Sequence, residues 1–126
     1  YEDQGVSTLE DGLYVMEKNL RKKAFVNKMA RFLRASIKGW KYAADHPDEA
    51  ADIVLENDDT GAQTEKHQRR MMREINKLVG NQPQGIGYLL PADYRRTVKV
   101  LMSSGSDPVI SKKPKGAWSH KIWNAM

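Results

Sequence analysis

The strongest constraint in this chain is a long run of apolar residues at helical spacing. Phe25, Val26, Met29, Phe32, Leu33, Ile37, Trp40 and Ala44 recur every three or four positions, the period that lines one face of an α-helix. Arg31, Arg34, Lys38 and Lys41 fall mostly on the opposite face. The pattern predicts a helix over residues 25–44, closed before Pro47 because a residue preceding proline avoids the α region. Gly39 sits beside Trp40. It costs such a helix about 1 kcal/mol relative to alanine, so the position predicts close approach of another backbone. A helix this apolar on one side needs a partner element for that side.

Further helices follow. Pro47 suits a first helical position, and Asp48 and Glu49 complement the positive end of the dipole. Ala50, Ala51, Ile53, Val54 and Leu55 supply the apolar part, and the Asn57-Asp58-Asp59-Thr60-Gly61 run breaks the helix. A third helix is predicted over residues 63–79, with Met71, Met72, Ile75, Leu78 and Val79 inward and Gly80 as its stop. Residues 81–87 read as a loop. Pro91 opens a fourth helix to about Ser103, burying Tyr94, Val98, Leu101 and Met102. Residues 117–123 suit a last turn or two, with Trp118 and Ile122 on one face. Ahead of all this, Gly12-Leu13-Tyr14-Val15-Met16 reads as one short strand. A lone strand must pair, and no second strand of comparable quality follows. The expected fold class of the chain is mainly α: four to five helices and one short strand.

The 126 residues suffice for one modest core. No run of 18 apolar residues is present. The acidic start, Tyr1-Glu2-Asp3, has no apolar signal core. Cysteine is absent, which removes disulfides, thiolate nucleophiles and cysteine-ligated zinc. That suits a cytoplasm and a bacterial periplasm equally. Net charge is +5 with pI near 9.5, which fits an anionic partner such as nucleic acid or a solvated basic surface.

No catalytic constellation emerges. His46, His67 and His120 form no pair at metal-ligand spacing, so no metal or cofactor is expected. Gly85-Ile86-Gly87 lacks the strand, third glycine and helix of a phosphate-binding loop. The pair Ser103-Ser104 has no nucleophile-elbow context. Asp48-Glu49 and Asp58-Asp59 read as helix-end residues. Lys66, Arg69, Arg70 and Arg73 cluster on the third helix, either as phosphate contacts or as a solvated face. Trp40 reads as core, whereas Trp118 and Trp123 stay open to a ligand-stacking role.

Several segments, taken in order, carry a resemblance. Asp11-Gly12-Leu13-Tyr14-Val15 leads into Ala24-Phe25-Val26-Asn27-Lys28-Met29-Ala30-Arg31-Phe32-Leu33-Arg34-Ala35-Ser36-Ile37-Lys38-Gly39-Trp40. His46-Pro47-Asp48-Glu49-Ala50-Ala51, Gly61-Ala62-Gln63-Thr64-Glu65, Pro91-Ala92-Asp93-Tyr94 and Pro114-Lys115-Gly116-Ala117-Trp118 follow. Together they resemble the C-terminal part of substrate-binding proteins of bacterial ABC importers. The branch is the nitrate, sulfonate, taurine and thiamine-precursor group, related to yeast pyrimidine-precursor synthesis proteins.

The resemblance implies a two-lobed α/β parent fold, periplasmic binding protein-like of type II, with this chain its C-terminal segment. Residues 1–20 would be the hinge-proximal strand and turn, and residues 21–126 the helical part. The implied function is solute capture by non-covalent binding and lobe closure, in the periplasm and without enzymatic chemistry. The implied partners are a small organic solute or anion and an ABC permease. Asp11, Gly12 and Tyr14 are the hinge-proximal candidates for ligand contact, against plain strand and turn roles. An uncovered apolar helix face would also suit a homo-oligomer. The alternative reading is a small basic helical module that binds nucleic acid or regulates. An enzyme of pyrimidine-precursor synthesis is a third, but its His and Cys chemistry has no counterpart here.

Overall fold

The computed structural model describes residues 4–80, 83–103 and 105–126. The expected acidic start at Tyr1-Glu2-Asp3, the first two positions of the loop at Asn81-Gln82, and Ser104 of the serine pair lie outside the described residues. The fold is mainly α. Among the described residues four helices follow one another: α1 (Lys23–Asp45), α2 (Pro47–Glu56), α3 (Glu65–Val79) and α4 (Pro91–Met102). Short 3₁₀ turns at Glu17–Arg21 and Trp123–Ala125 precede α1 and end the chain.

The two prolines fix the helix starts expected of them, because each stands at a first helical position. The third helix begins two residues later than its pattern suggested. Thr64 is its N-cap, and the Thr64 hydroxyl accepts the His67 N–H at 3.2 Å. The tail forms its turn at Trp123–Ala125 rather than over residues 117–123.

The expected strand does not form. Residues 11–16 carry no regular structure, and Leu13 and Tyr14 are 66% and 86% exposed. Strand hydrogen bonds need a second strand, and among the described residues none is present. The chain before this segment is held by side chains of α4 instead. Leu9 N–H donates to Thr97 Oγ1 at 2.9 Å, and Arg96 Nε donates to the Ser7 carbonyl at 3.0 Å.

The chain forms two compact units: the described residues up to Asn27 with Leu89–Ala125, and Lys28–Tyr88 with Met126. In the first, α4 buries Val98. His120 Nε2 lies 2.7 Å from the Leu89 carbonyl, and the Trp118 ring sits 4.8 Å from His120 and 6.1 Å from Tyr94. In the second, α2 and α3 pack against each other, and Ala43, Ala50, Ala51 and Met72 form the core cluster. Small side chains in that cluster let the helices approach closely. Asn76 Nδ2 on α3 donates to the Ala43 carbonyl at 2.9 Å, satisfying one of the carbonyls that a helix end leaves open.

Several expected core residues lie outside. The covered face of α1 runs along Val26, Ala30, Leu33 and Ala43. Phe32 and Trp40 remain 54% and 40% exposed, and Ala44 is exposed too. Ile53, Val54, Met71, Leu78 and Met102 are likewise exposed. At Gly39 an added Cβ would meet nothing within 4 Å, so no backbone among the described residues makes the close approach that the glycine suggested. The apolar stripes are as wide as the sequence indicates, but the described residues supply cover for only part of each.

Asp58 organises the connection between α2 and α3. Its carboxylate accepts the Thr60 hydroxyl, the Thr60 N–H at 3.0 Å and the Gln63 N–H at 2.9 Å. These bonds, led by the Thr60 hydroxyl, hold its pKa below the ordinary carboxylate value. A lowered folded pKa means that the loop's contribution is complete above the unfolded value. It is lost as pH falls through the folded one. Amide exchange at Thr60 and Gln63 is therefore expected to accelerate only in strong acid, and Asp58→Asn should produce that acceleration at neutral pH. Packing makes a second prediction. Ala51 is 0% exposed, so Ala51→Leu should cost about 1–3 kcal/mol by overpacking. Ile53→Ala, at a site 46% exposed, should stay within about 1 kcal/mol. Urea unfolding of the two variants separates these outcomes.

Candidate functional site

The hinge-proximal candidates Asp11, Gly12 and Tyr14 all lie on the surface. The space beside Gly12 is taken by Tyr14 itself, whose ring atoms stand 3.5 Å from where a Cβ would be. None of the three lines either of the two open depressions described below.

The basic cluster on α3 splits into two kinds of residue. Arg69 is committed within the fold. Its Nη2 meets Asp52 Oδ1 at 2.6 Å, its Nη1 meets Asp48 Oδ1 and the Asp48 carbonyl at 3.2 Å, and its Nε meets Glu65 Oε1 at 3.0 Å. Two of its donors, Nη1 and Nη2, thus tie the start of α3 to α2, while Nε holds Glu65 of the same helix, in a planar fork that lysine could not reproduce. The Glu65 hydrogen bond, with the Asp52, Glu65 and Asp48 charges, stabilises the guanidinium further. Lys66, Arg70 and Arg73 stay on the exposed face. Glu74 pairs with Lys77 at 2.9 Å, and this bond lowers the Glu74 pKa, helped by Arg70 and Arg73.

The histidines have separate surroundings. His46 is the N-cap position of α2 without a side-chain capping bond, and its ring lies 4.5 Å from that of Tyr42. Glu49 hydrogen-bonds the Tyr42 phenol and raises its pKa. His67 is exposed on α3, and His120 belongs to the Trp118 cluster. Among the described residues, no three His, Asp or Glu side chains converge as metal ligands.

Two open depressions lie in the first unit, and sequence reasoning found neither. One, of about 370 Å³, brings together Arg21, Lys23, Asn27, Lys121 and Asn124 over Leu20, Val26 and Ala125. The other, of about 530 Å³, gathers Arg95, Arg96 and Lys99 of α4 beside Gly5 and Val6. Among the described residues, neither has a carboxylate in its lining. Arg96 is already engaged with Asp93 at 2.9 Å and with Ser7. The groups of the first depression stand about 100 residues apart in sequence, and no local motif signals such a meeting.

The two roles on α3 predict different responses to mutation. Arg69→Gln should lower the melting temperature and uncouple α2 from α3, seen as faster amide exchange in α2. Arg70→Gln, one position along, should leave both unchanged.

A family model described as NMT1/THI5 like matches residues 1–50, a span that holds Asp11, Gly12, Tyr14, all of α1 and the His46-Pro47 step. No curated protein and no solved structure matches the chain.

Proposed function

We propose that this chain is the C-terminal segment of a solute-binding protein that serves an ABC importer. The observation that carries the reading is the NMT1/THI5-like match over residues 1–50. The branch is the nitrate, sulfonate, taurine and thiamine-precursor group, and the parent is a two-lobed α/β protein of the periplasm. Its work is reversible capture of a small organic solute or anion, followed by lobe closure and delivery to the permease.

Two structural features support this reading. Residues 12–16 are strand-favouring in sequence and have no strand to join among the described residues. In the parent they would complete a sheet near the hinge, with Asp11, Gly12 and Tyr14 at the cleft. The flank of α1 at Phe32 and Trp40 is apolar and open. In the parent it would lie on the first lobe, so α1 acts as scaffold. Binding chemistry then rests mainly on residues of the other segments.

The complete reading frame tests the proposal. It should encode a further lobe of about 150–200 residues, and the purified protein should bind one small solute reversibly without turning it over. A complete frame that adds no lobe, or a protein that converts its ligand, contradicts it. The 126-residue chain expressed alone should cover its open flank with a second copy. Sedimentation velocity is expected to show concentration-dependent dimers that Trp40→Glu abolishes; a monomer at all concentrations would argue against an uncovered flank.

A further inference from the structure

The geometry points to a binding site for a soluble phosphate monoester in the depression formed by Arg21, Lys23 and Lys121. The three cations come from three segments: the 3₁₀ turn Glu17–Arg21, the first residue of α1, and the stretch before the final turn. None forms an ion pair with an acidic side chain among the described residues, and no carboxylate lines the hollow. Like charges held together without a counter-charge repel, so an anion in their midst relieves that repulsion.

Charge and shape narrow the ligand. Three positive charges favour a dianion over a monoanion. A phosphate monoester carries close to two charges near neutral pH, whereas a sulfonate, carboxylate or nitrate carries one. The Arg21 guanidinium can engage two phosphoryl oxygens at once, and the lysines act as point charges. Asn27 and Asn124 each add an amide that can donate to an ester oxygen or a hydroxyl. Val26, only 6% exposed, forms an apolar floor for the ester group. A volume of about 370 Å³ falls at the small end of ligand sites, which suits a short ester. The larger depression at α4 is less suited, because Arg96 is already bound to Asp93 and Ser7. The site stands whether or not the chain serves an importer.

Isothermal titration calorimetry of the whole 126-residue chain tests it, at constant ionic strength near neutral pH. Methyl phosphate and methyl sulfate share a shape and differ in charge. Methyl phosphate is expected to bind about tenfold more tightly. Arg21→Gln and Lys121→Gln should each weaken it about tenfold, the loss of one charge-assisted hydrogen bond. Lys121→Arg should retain binding, and Arg95→Gln, a cation of the other depression, should leave it unchanged. Circular dichroism of each variant confirms that helix content is kept. No binding, equal affinity for the two anions, or equal losses in Arg21→Gln and Arg95→Gln would overturn the site. Binding confined to phosphatidic-acid vesicles would overturn the assignment of a soluble ligand.

Discussion

Helix α1 carries more apolar surface than the described residues of its chain cover. Val26, Ala30, Leu33 and Ala43 are buried, while Phe32 and Trp40 on the flank are not. Burying a large apolar side chain contributes about 1.5–3 kcal/mol. Two aromatic groups left half in water therefore forgo a few kcal/mol, which is a large part of an ordinary domain's stability. The buried set leans on small residues: four of its eight members are alanines. That composition gives close helix contact but little apolar area.

Polar interactions supply much of the definition that the thin core lacks. Arg69 joins α3 to α2 through the two carboxylates of Asp48 and Asp52, Asp58 shapes the turn between the helices, and Asn76 closes the end of α1. The exposed parts of these networks add little each. Their effect is to fix which helix faces meet, so that the alanine seam is reached in one register. In the other unit Arg96 and Thr97 do the same for the N-terminal segment, holding Ser7 and Leu9 on α4.

The helices were legible in the sequence wherever a residue dictates backbone geometry. Pro47 and Pro91 begin α2 and α4 as their fixed φ requires. The three-and-four spacing placed α1 within two residues of its observed ends. Features that depend on a partner were not legible. The pattern at residues 12–16 describes a strand's preference, but a strand exists only when another pairs with it. Phe32 and Trp40 read as core because periodicity shows which residues seek cover, not whether cover is present. The role of Arg69 was partly readable, since Glu65 precedes it by four residues on the same helix face. Asp48 and Asp52 are likewise four apart on α2. The cationic depression was not readable at all, because Lys121 meets Arg21 only through the tertiary fold.

Under the proposed function, the open flank of α1 is a packing face for a lobe encoded beside this segment. Acrylamide quenching and radical footprinting at Trp40 measure that cover directly. The measurement compares the 126-residue chain, held monomeric at low concentration, with the protein made from the complete reading frame. Trp40 and Phe32 are expected to be readily modified in the short chain and strongly protected in the longer protein. Equal modification of both residues in the two proteins would contradict that role of the flank.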